Sequence, residues 1–139
     1  MKLNGAKGVF GDDEAGADLG VWGMARVLIV EDEGILAMNL VEMVEGMGHE
    51  VVGVADSGAK ALKLADVSTP DLVLLDIVIK GETDGVTLGN LLHQAHGCKL
   101  IYITGSPEVL TAEIAHWGIL NKPLSYEELA PAIEAALGS

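Results

Sequence analysis

One cysteine, Cys98, occurs in 139 residues. An internal disulfide is impossible, nothing argues for an oxidising compartment, and a reduced cytoplasm is the default expectation. Cationic residues are scarce as well: 8 Lys and Arg face 21 Asp and Glu, for a net charge of −13 and an isoelectric point near 4.4. Such a chain repels a phosphate backbone instead of releasing its counterions, which argues against direct nucleic-acid binding. No apolar run approaches the roughly 18 residues of a membrane span, and the N-terminal stretch lacks the continuous apolar core of a signal peptide. What the chain has is apolar content, 50% of its residues with a mean hydropathy of +0.39, too much for intrinsic disorder. Its length suits one domain that buries roughly two-thirds of its unfolded surface, and leaves no room for a second.

Residues 1–24 hold six glycines and the charged cluster Asp12, Asp13, Glu14 without a sustained helical or strand period. They read as a flexible tail, so residues 25–139 are the expected domain. From Ala25 onward, short β-rich runs alternate with helical patterns. Strands are expected at Arg26–Val30, Val51–Ala55, Leu72–Asp76, Lys99–Ile103 and Gly118–Leu120. Helices are expected at Gly34–Met47, Gly58–Asp66, Gly85–His96, Pro107–His116 and Tyr126–Leu137. Arg26–Val30 (RVLIV) is a continuous apolar run after its arginine and rich in branched side chains, as suits a strand buried on both faces. Five such units imply an α/β fold: a five-stranded parallel sheet, doubly wound, with helices on both faces. Only Gly138 and Ser139 follow the last helix, so no attached output domain is expected.

Ligands of a doubly wound sheet bind outside the carboxyl ends of its strands. There the chain places Glu31, Asp32 and Glu33 after the first strand, Asp76 at the third, Thr104 at the fourth and Lys122 at the fifth. Taken singly, most have an ordinary reading. Asp32 or Glu33 suits a helix cap, Thr104 opens a turn in which Ser106 is an N-cap and Pro107 the first helical residue, and Lys122 is a surface lysine before proline. Asp76, inside LLDIVI, sits in poor turn context. Together, the spacings of 44, 28 and 18 residues from Asp32 to Asp76, Thr104 and Lys122 fit successive crossings of one sheet.

Carboxylates about 4–5 Å apart repel by about 3–4 kcal/mol per pair at an effective dielectric near 20, so Glu31, Asp32 and Asp76 need a cation beyond one lysine. A hard divalent ion with oxygen ligands, Mg²⁺ retaining several waters, is the natural complement. The first strand-to-helix turn reads EDEG, which is no anion cradle for a nucleotide or flavin phosphate. With the metal present, Asp76 is suited to attack phosphorus, while Lys122 and the Thr104 hydroxyl contact the phosphoryl oxygens. The product is an aspartyl phosphate, a labile switch of local charge.

In VLIVEDE, LVLLDIVI, IYITGSPE and NKP the sequence resembles the receiver domain of two-component response regulators across Ala25–Leu137. The resemblance implies a flavodoxin-like fold of five βα units with strand order 2-1-3-4-5. It further implies an acidic pair at Glu31 and Asp32, a phosphoacceptor at Asp76, a switch hydroxyl at Thr104, a site lysine at Lys122 often followed by a cis proline, and a Mg²⁺ ligand from the Val78 carbonyl. The implied partners are a sensor histidine kinase or histidine phosphotransfer protein, docking around the first helix, and a downstream protein. The only reactions implied are the domain's own phosphorylation and dephosphorylation.

Two features depart from that pattern. Ile119 stands where the family has an aromatic switch residue, with Trp117 two positions earlier either replacing it or packing at a helix end. The loop IVIKGETDG after Asp76 lacks the family's proline. His93 and His96, three residues apart, have a metal-ligand spacing but no third ligand, and are expected to face solvent. Two other functions stay open. A phosphohydrolase of the haloacid dehalogenase type wants a second Asp where this chain has Val78. An interaction module independent of phosphorylation is argued against by Asp76, Asp32 and Lys122.

Overall fold

A computed structural model describes residues 24–79, 81, 84–110 and 115–138. The expected tail therefore falls outside the described residues except for Met24, which is exposed. Five parallel strands, β1 (Arg26–Val30), β2 (Glu50–Ala55), β3 (Leu72–Leu75), β4 (Lys99–Thr104) and β5 (Gly118–Asn121), form one sheet in the order β2-β1-β3-β4-β5. The helices are α1 (Gly34–Gly46), α2 (Gly58–Ser68), α3 (Gly85–His96) and α4 (Tyr126–Leu137). This is the expected doubly wound, flavodoxin-like arrangement.

The alternation of side chains along each strand divides the interior into two cores. Leu28 and Val30 of β1 face the same way as Val73, Leu75, Leu100 and Tyr102, under Ala61 and Ala65 of α2 and Leu88 and Leu92 of α3. Val27 and Ile29 face the other way with Leu72, Leu74, Ile101 and Ile103, under α1 and α4. Because both faces are covered, β1 from Val27 onward and β3 throughout are apolar at every step, which is why they read as continuous runs.

Helix ends are fixed locally. The Ser57 hydroxyl accepts from the Lys60 N–H at 3.3 Å, and an Asp84 carboxylate oxygen accepts from the Thr87 N–H at 2.8 Å. Ser125 and Glu128 form a capping box that starts α4. Gly97 ends α3 at φ 69°, a left-handed conformation that costs glycine little. At the far end of α4, Lys99 Nζ donates to the Ala136 carbonyl at 2.8 Å.

Most expected boundaries agree to within two residues, but the fourth helix does not form as expected. Residues 107–109 make a 3-10 turn, and Leu110 is extended at φ −84°, ψ 139°; residues 111–114 lie outside the described residues, and Ala115 and His116 are not helical. The break lies at Leu110, whose extended backbone cannot continue a helical ladder, and the expected cap is not made either. Ser106 makes no side-chain bond to the turn and has φ −134°, ψ 65°, while its own N–H donates to Thr104 Oγ1 at 3.0 Å.

At the opposite edge of the sheet, the Ala25 N–H donates to His49 Nδ1 at 3.0 Å, which fixes the proton of a neutral ring on Nε2. Burial pushes the His49 pKa below its ordinary value, opposed by the charge of Glu134. The neutral ring is thus favoured by folding. Its contribution is complete above the ordinary histidine pKa of about 6.5 and is lost as pH falls below it toward the lowered folded value. The thermal midpoint of the wild type is expected to drop more steeply than that of His49→Gln between about pH 7 and pH 5; parallel profiles by circular dichroism would remove His49 from this role.

Candidate functional site

Parallel strands deliver all their carboxyl ends to one edge, and register decides which residues meet there. Val30 of β1 pairs with Leu75 of β3, and Thr104 of β4 with Asn121 of β5, so the residues after them emerge side by side. Backbone bonds extend the alignment past the strands: Asp76 N–H donates to the Val30 carbonyl, Glu31 N–H to the Ala55 carbonyl and Lys122 N–H to the Thr104 carbonyl, each at 3.0 Å.

Glu31 and Asp76 are buried there, at 3% and 7% exposure. Lys122 Nζ donates to Asp76 Oδ2 at 2.8 Å and to Glu31 Oε1 at 3.1 Å. Asp32 completes the group: one carboxylate oxygen from each of Glu31, Asp32 and Asp76 lies within 4.8 Å of the others. The remaining oxygens are held by backbone, Glu31 Oε2 accepting from the Glu33 N–H and Asp76 Oδ1 from the Val78 N–H, both at 3.1 Å. The Lys122–Pro123 peptide is cis.

Desolvation pushes the Glu31 carboxyl above its ordinary pKa, helped by the charge of Asp76 and opposed by the Glu33 N–H and by Lys122. Burial on its own lowers the Lys122 pKa, but the hydrogen bonds and charges of Asp76 and Glu31 outweigh it, and the net shift is upward. Lys122 is therefore a firm cation serving an excess of negative charge. Three oxygen donors against one ammonium suit a hard divalent cation and disfavour a soft one.

Thr104 is also buried at this edge; its Oγ1 accepts from the Ser106 N–H, and among the described residues its hydroxyl makes no bond to Asp76 or to the Lys122 side chain. Val78 offers its N–H to Asp76, and its side chain is 72% exposed. The structure thus brings Glu31, Asp32, Asp76 and Lys122 into one cluster, with Thr104 on the neighbouring strand. Lys80, Glu82 and Thr83 of the following loop lie outside the described residues.

Trp117 is remote from this edge. Its N–H donates to the Leu100 carbonyl at 2.8 Å. At about 3.3 Å per residue it lies roughly 13 Å along β5 from the Asn121 end. Its ring packs on His93 of α3, with centroids 5.1 Å apart. Of the two readings, packing at a helix end is the one observed. The two histidines also differ from expectation: both are half-buried. His93 Nδ1–H donates to the Cys98 carbonyl at 2.9 Å, and His96 Nε2 meets Asp66 Oδ1 at 3.1 Å. A buried tyrosine, Tyr102, escaped the sequence reading; its signal was a phenol inside the apolar run LIYIT.

Comparison with known proteins accords with this geometry. The response regulator receiver domain family matches residues 27–134. The chain is 38% identical to the phyllosphere-induced regulator PhyR of Methylorubrum extorquens over 90% of its own length and 48% of that protein's. It is 34% identical to the transcriptional regulatory protein PdtaR of Mycobacterium tuberculosis over 81% of its length and 56% of that protein's. It thus spans about half the length of these curated relatives. The solution structure of the PhyR receiver domain of Erythrobacter litoralis superposes with a TM-score of 0.79 at 27% identity, covering 86% of this chain and 94% of that one. With five parallel strands in the order 2-1-3-4-5 and an acidic, lysine-bridged cluster at their carboxyl edge, the chain belongs to the response regulator receiver domain family.

Proposed function

We propose that this chain acts in two-component signalling as a phosphoacceptor whose receiving residue is Asp76. The observation that carries the reading is Lys122 Nζ bridging Asp76 and Glu31 at the carboxyl edge of the sheet. A buried aspartate held in place by an ammonium and a backbone N–H is a positioned nucleophile.

In the proposed step an Asp76 carboxylate oxygen attacks the phosphorus of a phosphohistidine on a histidine kinase or histidine phosphotransfer protein. The new O–P bond forms as the P–N bond breaks, and the imidazole leaves with the electron pair and takes up a proton. Lys122 neutralises the phosphoryl oxygens, and the Thr104 hydroxyl turns from Ser106 toward them. Glu31, Asp32 and Asp76, with the Val78 carbonyl, would hold Mg²⁺. The metal would screen the carboxylates and the incoming phosphoryl charge. Attack by water later returns carboxylate and phosphate, so the chain's chemistry is confined to forming and losing its own acyl phosphate. Val78 supplies no second carboxylate for turnover of an external phosphate ester.

The partner's approach is read from exposed apolar side chains on α1 beside the site, Ile35 at 78% and Met38 at 66% exposure. Met43 and Met47 pack against the core instead. The downstream protein is left to the readout surface, and a cytoplasmic location agrees with the absence, among the described residues, of any helix long and apolar enough to cross a membrane.

Incubation with Mg²⁺ and acetyl phosphate is expected to add one phosphoryl mass to the wild type, labile to hydroxylamine, and none to Asp76→Asn. An adduct of equal yield on the variant would reassign the acceptor. Asp32→Asn is expected to weaken Mg²⁺ binding by at least about tenfold. The same change relieves repulsion and should raise the metal-free thermal midpoint by about 4 °C, the shift that roughly 1 kcal/mol gives a domain of this size. Unchanged calorimetric affinity would remove Asp32 from the metal site.

A further inference from the structure

Tyr102 is wholly buried in β4, and its hydroxyl has no hydrogen-bond partner among the described residues. Buried polar groups without partners are rare, and phenylalanine would fill the same space without the cost. The oxygen presses on the backbone of α3 at Gly89, where an added Cβ would collide with it. Helix α3 is held at two other points. At its start the Gly85 N–H donates to the Ile77 carbonyl at 2.9 Å, and the backbone of Asp76 and Ile77 leaves no space for a Cβ on Gly85. At its end His93 holds the Cys98 carbonyl just before β4. The helix therefore runs from the backbone of Asp76 to the foot of β4 and rests at its middle on the Tyr102 hydroxyl.

Tyr102 also has a place in the strand that carries Thr104. The two are separated by one residue and so share a face of β4. In register beside Tyr102 on β5 is Ile119, the position at which the sequence lacks an aromatic. The buried phenol thus sits one strand over from the missing ring, touching an element locked to Asp76.

We propose that Tyr102 is a positioning residue for the switch. Its hydroxyl has no partner among the described residues while α3 lies down on β4, and donates to an α3 carbonyl or a water once the helix is displaced by a phosphoryl group on Asp76. A group that is orphaned in one state and paired in the other shifts the equilibrium toward the second. The link from acceptor to helix is the Gly85–Ile77 bond, and the link from helix to strand is the hydroxyl. The proposal rests on the assignment of Asp76 as acceptor.

The test compares wild type with Tyr102→Phe, an isosteric change that keeps the core filled. Thermal unfolding is measured without ligand, and binding of beryllofluoride with Mg²⁺ is titrated by calorimetry. Expected is a higher midpoint for the unliganded variant together with beryllofluoride binding weakened by about fivefold, the factor that one modest hydrogen bond supplies. A merely structural tyrosine cannot move the two readouts in opposite directions. Binding to the variant within twofold of wild type, with wild type binding normally, overturns the role of Tyr102 alone. Failure of wild type to bind beryllofluoride overturns the acceptor assignment, and this proposal with it.

Discussion

Two carboxylates buried side by side share a single ammonium, and the rest of the molecule is arranged so that they do. Glu31 and Asp76 leave adjacent parallel strands at the same level, and Lys122 arrives from the far strand of the sheet to touch both. In an interior of low dielectric this grouping repels itself unless its geometry is enforced from outside. The enforcement comes from two apolar cores, one on each side of the sheet. They hold β1 and β3 in a register that neither side chain could set for itself. Extra negative charge beyond what Lys122 balances is the standing condition of the site.

The parts of this arrangement that local pattern encodes were legible in the chain. RVLIV and LVLL announce strands buried on both faces, and a parallel sheet with four crossovers has its loops, and hence its strand-end residues, on a known edge. Glu31, Asp32, Asp76 and Lys122 follow from that topology, because a strand-end position needs no knowledge of rotamers. Thr104 belongs to the same edge, although its hydroxyl is turned to Ser106, a local bond that strand position does not reveal.

What pattern did not encode lies in contacts through space. The fourth helix was expected from Pro107 and a serine before it, yet the serine makes no cap and the chain turns extended at Leu110 after one 3-10 turn, which the Ser-Pro signal alone does not reveal. His93 and His96 have one spacing on α3 but opposite errands: one turns to Trp117 and the Cys98 carbonyl, the other to Asp66 on α2. Trp117 is close to Lys122 in sequence and distant in space, because a strand advances too far per residue for five positions to count as near. Tyr102 and Gly89 are the plainest instance: a large residue and a missing side chain, on different elements, that make sense only as a pair.

The fit of Gly85 against the Asp76 and Ile77 backbone has a consequence for how such a sequence can drift over time. The first position of α3 accepts no side chain of any kind, alanine included, without moving the backbone of Asp76 and Ile77. Position 85 therefore resists substitution for a steric reason that lies outside the cluster's own side chains: any larger residue there would reposition the backbone that presents Asp76 to Lys122.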